Sequence, residues 1–294
     1  MRTKTTAGPN SSDINEDALV EERLAATASL SLLQKKQHIK ERWESASVNE
    51  TDAEGLRPTA RDPYLQAAVE NGIQRYLPHV NKLLDIGCGE GTSTAQFASR
   101  ADFTLGVDYS EGLITQALKK HHNTPRLSFA VADVCDLSLV REKNEVFNAA
   151  ISIRCLINLP SWKMQAKAIE EIALCIQPGG LCLISEGWKE GWEQLNISRT
   201  RAGLESITVA DYNLLIERRR FERHAGIFFD IINYHSLGLY LFMSRIVQPV
   251  FVAPNPPSHT HEINRLASDL QCYLGAEQRF GDIDYAGIYV LRRK

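Results

Sequence analysis

The 294 residues predict an α/β chain, a doubly wound, mostly parallel seven-stranded sheet with helical lid insertions. Three observations carry this. Between Lys82 and Glu186, short apolar runs alternate with segments of helical period. The first run, Leu83-Leu84-Asp85-Ile86, breaks into Gly87-Cys88-Gly89-Glu90-Gly91-Thr92. Glycine at every second residue builds neither a strand nor a helix well, but it suits a tight turn whose backbone a ligand can approach at a helix N-terminus. Finally, successive runs end in acids, at Asp85, Asp108 and Asp133. These fall at the carboxyl edge, where such sheets bind ligands.

The elements follow in order. After the glycine turn, Thr92 to Ser99 forms the first helix of the core. Phe103 to Val107 is the second strand, tipped by Asp108. Ser110 then caps a helix that buries Leu113, Ile114, Ala117 and Leu118. Leu127 to Val131 is the third strand, with Asp133 just beyond it, and Phe147 to Ile153 is the fourth. Ser161 caps a helix with Ile169, Ile172, Ala173 and Ile176 on one face, and Gln177-Pro178-Gly179-Gly180 stops it. Leu181 to Ser185 is the fifth strand, Arg223 to Asp230 the sixth and Tyr285 to Leu291 the seventh. Strands separated by helices pair in parallel through right-handed crossovers.

This divides the chain into a polar, disordered leader at 1–25, containing Gly8-Pro9-Asn10, and an N-terminal helical lid segment at 26–80. The ligand-binding core is 81–186. Residues 187–294 complete the sheet and carry lid insertions at about 187–218 and 232–281.

Composition narrows the functions. Hydrophobic content of 44% and charged content of 23% are ordinary for a soluble globular protein. A formal charge of −3 supplies no field for nucleic acid. The N-terminus lacks the pattern of a secretory signal. Asp230, His235, Arg245 and Gln248 interrupt the most apolar stretch, so no membrane span is expected. The six cysteines form no C-x-x-C pair, which predicts reduced thiols in a cytoplasmic protein and no metal site.

A dinucleotide fingerprint would place its third glycine where Thr92 stands; here the glycine comes one residue early, at Gly91. The form acid-x-G-x-G-x-G resembles the first motif of the class I S-adenosylmethionine (SAM)-dependent methyltransferases. Arg154-Cys155-Leu156-Ile157-Asn158-Leu159-Pro160 and Ser185-Glu186-Gly187 resemble bacterial small-molecule members, of surface-glycan or natural-product pathways. The resemblance implies SAM as cofactor. It places Asp85, Gly87, Cys88, Gly89 and Gly91 along the methionine and ribose, Asp108 and Tyr109 at the ribose, and Asp133 and Val134 at the adenine. It brings Arg154 to the methionine part or the substrate, and Arg61 to the cofactor carboxylate or the substrate. The Asn/Asp-Pro-Pro-aromatic motif of DNA and protein amide methyltransferases is missing after the fourth strand.

The expected reaction is in-line transfer of a methyl group to an O or N atom of a small molecule such as a sugar, an acid or a natural-product intermediate. Glu186 and His235 are the candidate bases. Trp188, Arg199 and Tyr212 are candidate substrate residues, with Trp192 and Tyr234 as further candidate walls. Arg154 and Arg199 together favour a polar, even anionic, acceptor. Two alternatives stay open at this point: a nicotinamide-dependent oxidoreductase and a non-catalytic SAM-binding module.

Overall fold

A computed structural model describes residues 31–48, 56, 57, 59–144, 146–274 and 282–294. The predicted leader at 1–25 lies outside them. Among the described residues, no helix is long and apolar enough to cross a membrane.

The sheet has seven strands: β1 (Val80–Ile86), β2 (Ala101–Asp108), β3 (Leu127–Val131), β4 (Phe147–Ile153), β5 (Ile176–Ser185), β6 (Phe229–His235) and β7 (Ile288–Arg293). Their order is β3-β2-β1-β4-β5-β7-β6. Strands β1 to β5 pair in parallel, and β7 runs antiparallel to both neighbours. The order reverses between β1 and β4, which opens a crevice at their carboxyl ends.

Strand alternation divides the core between two faces. Leu84 and Ile86 of β1 point to one side and Leu83 to the other. The first face is covered by α5 (Ser138–Asn144), α6 (Trp162–Cys175) and α8 (Arg218–Phe228). The second is covered by α2 (Pro63–Tyr76), α3 (Thr92–Phe97), α9 (Gly238–Phe242) and α11 (Glu262–Leu274). Helix α4 (Glu111–Lys120), capped by Ser110, packs along β2 and β3. Helix α1 (Leu32–Ala46) starts at a Ser31–Gln34 capping box and rests on α4. Helix α7 (Lys189–Arg201) follows β5, and α10 (Gln248–Val252) continues a π-helical turn after α9.

Three expectations need correction. The sixth strand is not Arg223 to Asp230. Phe221, Ala225 and Phe228 recur at helical spacing, so α8 runs to Phe228 and β6 begins at Phe229. Consequently Arg218-Arg219-Arg220 opens a helix. Gln177 to Gly180 belongs to β5, because the chain turns from helix to strand at Ile176, beside Phe147. Lastly, residues 236–274 form no lid. They pack on α2 across the second face, through Tyr240, Leu241 and Ala267, and none of them lines the crevice.

Candidate active site

The crevice widens into a cavity whose floor is the glycine turn. Gly87, Gly89 and Gly91 have φ of 74°, 55° and 78°, left-handed values that other residues adopt at a cost. The amides of Gly87 and Cys88 both donate to the Val107 carbonyl, at 2.8 and 3.0 Å, which ties the turn to β2. Gly91 lines no part of the cavity: a Cβ there would strike Phe129 at 2.5 Å, so this glycine serves helix packing.

Three strand-end acids reach the cavity, each already anchored. Asp85 accepts from Thr94 Oγ1 at 2.6 Å, and burial pushes its carboxyl up to about 7. Asp108 accepts from the Gly89 and Ser110 amides at 3.0 and 2.9 Å; burial still raises its pKa above the ordinary value. The Tyr109 amide also bonds this carboxylate, which after three donors still has acceptor capacity for a ligand hydroxyl. Asp133 accepts from the Cys135 amide at 3.0 Å and from Lys36 of α1. A fourth acid, Glu90, is held by Thr59 at 2.8 Å and Arg57 at 2.6 Å. Burial raises Glu90, but these bonds and its own backbone outweigh it and leave the pKa below the ordinary carboxylate value.

Arg154 follows β4 with φ of 51°, an uncommon conformation for a non-glycine residue. Its guanidinium donates to the Thr59 carbonyl at 2.6 Å and to Gln66 Oε1 at 2.9 Å. Three wall residues carry buried polar atoms without a partner: Tyr109 Oη, Asn158 Oδ1 and Asn213 Oδ1.

Arg61, Asp85, Gly87, Cys88, Gly89, Asp108, Tyr109, Asp133, Val134, Arg154 and Tyr212 line one cavity. Burial keeps the Cys88 thiol well above its ordinary pKa, so it is protonated at neutral pH. Beside Gly91, six other candidates lie elsewhere. Glu186 accepts from the Cys155, Leu156 and Ile157 amides at 2.9–3.1 Å and from Ser152 at 3.2 Å. It shapes the loop after β4 from behind the cavity wall. His235 is packed against Tyr76 behind the sheet, and burial lowers its pKa to about 4. Trp188 is fully buried between Phe221 and Tyr289 and donates to the Gly287 carbonyl at 2.8 Å. Arg199 donates to the Glu205 carbonyl at 2.8 Å and to the Arg245 carbonyl, so it ties α7 to the turn after α9. Trp192 meets Tyr285 edge to face, and Tyr234 meets Tyr289 in the same way.

The motifs did not single out Lys36, Ile39 and Trp43 of α1, or Asn158 and Asn213, as wall residues. Trp43 meets Tyr212 edge to face at 6.0 Å. The capping box at Ser31 was a legible signal for α1, but nothing local in the sequence says where that helix docks.

Residues 83–180 match the family described as "Methyltransferase domain". Among curated proteins, the chain is 27% identical over 133 residues to dTDP-3-amino-3,4,6-trideoxy-alpha-D-glucopyranose N,N-dimethyltransferase of Streptomyces venezuelae, over 43% of this chain and 53% of that protein. It is 30% identical over 177 residues to tRNA (carboxymethyluridine(34)-5-O)-methyltransferase of Arabidopsis thaliana, over 60% of this chain and 40% of that protein. The chain thus spans about half or less of the length of these relatives. Among solved structures, N-methyltransferase NodS from Bradyrhizobium japonicum, in complex with S-adenosyl-L-homocysteine, shares the fold at a TM-score of 0.51 and 13% identity, over 87% of this chain and 98% of that one. Residues 83–180 are thus a methyltransferase domain, set in a fold shared with an N-methyltransferase solved with S-adenosyl-L-homocysteine. SAM, the cofactor that such a domain implies, suits this cavity. A side chain at Gly87 would collide with Cys155 at 2.6 Å, so this glycine lets the turn lie close against the loop after β4. Asp108 has lone pairs to spare, and the unpartnered Tyr109 hydroxyl lies in the wall beside it.

Proposed function

We propose that this methyltransferase acts on a small molecule and methylates a neutral amine nitrogen. One observation carries the choice of nitrogen. No histidine lines the cavity among the described residues, and each acid in its wall is already paired or hydrogen-bonded; Asp85, pushed up to about 7, is held by Thr94 beside the glycine turn, on the cofactor's side of this reading. Burial raises Tyr109 and Cys155 far above neutrality, so neither takes up a proton. A hydroxyl acceptor would forgo the roughly 10²–10⁴-fold that a positioned base provides, whereas an amine that arrives neutral needs no base.

When bound, SAM supplies a sulfonium methyl: a C–N bond forms as the S–C bond breaks, sulfur keeps the electron pair, and the amine proton leaves to solvent. The chain's own contribution is placement. Asp108 and the glycine turn hold the ribose side, Asp133 meets the base, and Arg154 faces the carboxylate end. The apolar wall of Ile39, Trp43, Ile157 and Leu159 excludes water around the reacting atoms. The net charge of −3 favours a small acceptor over nucleic acid. With Arg199 engaged elsewhere, the case for an anionic acceptor loses one of its two arginines. The six free cysteines suit the cytoplasm.

The test is a panel of matched amines and alcohols incubated with SAM, followed by S-adenosylhomocysteine release and product mass. Amines should turn over. Turnover confined to alcohols would overturn the choice of nitrogen. Asp108→Ala should weaken SAM by at least tenfold in calorimetry, because hydrogen bonds to a charged group are worth about 1.5–3 kcal/mol each.

A further inference from the structure

Glu186 is a buried carboxylate just past the end of β5, and its bonds go to the neighbouring strand and the loop that follows it. Oε1 accepts from Ser152 Oγ at 3.2 Å and from the Cys155 and Leu156 amides at 3.0 and 2.9 Å, and Oε2 accepts from the Ile157 amide at 3.1 Å. Three successive amides thus converge on one side chain as the chain enters the 3₁₀ turn Leu156–Asn158, and a buried amide left without such a partner is costly. The residue before them is Arg154, whose own amide donates to the Ser185 carbonyl at 2.8 Å and whose carbonyl accepts from Asn158 Nδ2 at 2.7 Å. Its φ of 51° is a conformation that a non-glycine residue keeps only where its surroundings enforce it. Arg154, Cys155 and Ile157 line the cavity, and Glu186 does not.

We propose that Glu186 is a positioning residue for the cofactor: by fixing the amides of Cys155, Leu156 and Ile157, it holds Arg154 in the left-handed conformation from which the guanidinium serves the amino-acid end of SAM. This rests on the placement of Arg154 given above. The guanidinium is braced on the Thr59 carbonyl and Gln66 Oε1, and a change of backbone conformation at 154 would carry it away from both. Glu186 therefore acts through the backbone and needs no contact with the ligand. A carboxylate suits the task because both its oxygens only accept, whereas a carboxamide would turn an NH₂ group towards an amide donor.

The probes are S-adenosylhomocysteine and methylthioadenosine, which keeps the adenosine and the sulfur but lacks the amino-acid end, each measured by calorimetry. Glu186→Gln should weaken S-adenosylhomocysteine by about tenfold and leave methylthioadenosine within about twofold, and Arg154→Gln should show the same split. Glu186→Asp keeps the charge but is one methylene short of the three amides, so it should behave as Glu186→Gln does. Methylthioadenosine binding reports that each variant is folded. Equal loss of both ligands in Glu186→Gln, or loss of neither, would overturn the proposal, while a split in Arg154→Gln alone would leave the placement of Arg154 standing. No split in Arg154→Gln would overturn that placement and the proposal with it. Should the Glu186 variants not fold, hydrogen exchange in the unmodified protein decides. At equal saturation S-adenosylhomocysteine should slow the Cys155, Leu156 and Ile157 amides more than methylthioadenosine does, and equal slowing would overturn the proposal.

Discussion

Gly91→Ala tests whether the third glycine serves the fold or the ligand. The added Cβ would lie 2.5 Å from Phe129 Cζ, 2.7 Å from its Cε1 and 3.1 Å from His121 Cδ2. Relieving such contacts costs about 1–3 kcal/mol. The φ of 78° adds about 1–2 kcal/mol for a side chain in left-handed backbone. Against this, alanine restricts the unfolded chain and returns about 0.4–1 kcal/mol. The net expectation is a loss of roughly 2–4 kcal/mol. Gly89→Ala is the control. It has φ of 55° but meets only Thr59 Cγ2, at 3.3 Å, so its stability should fall by about 1 kcal/mol or less. Gly89 also lines the cavity, which Gly91 does not. Urea unfolding should therefore rank Gly91→Ala as the less stable variant, and calorimetry with S-adenosylhomocysteine should rank Gly89→Ala as the weaker binder. Phe129→Leu in the Gly91→Ala background should recover part of the lost stability, since neighbouring sites couple. The opposite ranking in both assays would refute the assignment of Gly91 to packing.

Three further outcomes are expected. His235 is neutral in the fold, with its pKa lowered by burial to about 4 from 6.5. Its contribution is intact above pH 6.5 and is lost as pH falls towards 4, about 3 kcal/mol at most. Glu186 and Asp85, pushed up to about 7 by burial, slope the other way between pH 4.5 and 7, so His235→Gln must be compared with its parent at each pH; a curve parallel to the parent's would contradict this. Arg199→Ala should lower the urea midpoint by removing the bonds to the Glu205 and Arg245 carbonyls, while the acceptor KM of the folded fraction stays within twofold; a raised KM at unchanged stability would return Arg199 to the substrate site. Turnover with an amine should survive EDTA. Activity lost to EDTA and restored by a divalent ion would show a metal requirement.

The strands were legible wherever local pattern and tertiary role coincide. Phe147–Ile153 and the Ser110 and Ser161 caps match the expected positions, because apolar runs and N-caps are local features. The acids at β1, β2 and β3 were legible as a group because each sits within two residues of a strand end. The errors share a different cause. Glu186, Trp188 and Arg199 follow β5 on the expected side of the sheet, but sequence position does not tell whether a side chain faces the cavity or the layer behind it. Glu186 turns back to three amides of the neighbouring loop, a destination set by the register of β4 and β5. Residues 223–230 misled because alanine, glycine and phenylalanine in a short run fit both periods; three-dimensional packing of Phe221 and Ala225 decides for helix. Asn158 and Asn213 are 55 positions apart in the chain and share a wall only after folding.

The docking of α1 bears on how quickly this protein loads. Beside the buried Ile39 and the contacts of Arg42 and Trp43 with Tyr212, two charged contacts hold the helix over the cavity: Lys36 on Asp133, and Glu44 on the Glu111 and Gly112 amides at 2.9 and 3.0 Å. The first joins side chains 29% and 37% exposed, an ion pair worth about 1 kcal/mol or less in water. The second places a carboxylate on a helix N-terminus, worth about 0.3–1 kcal/mol. Salt weakens these two charged contacts and so raises the fraction of time the cover spends displaced. Rising ionic strength should then speed the capture of a nucleoside ligand, the reverse of what steering by surface charge produces.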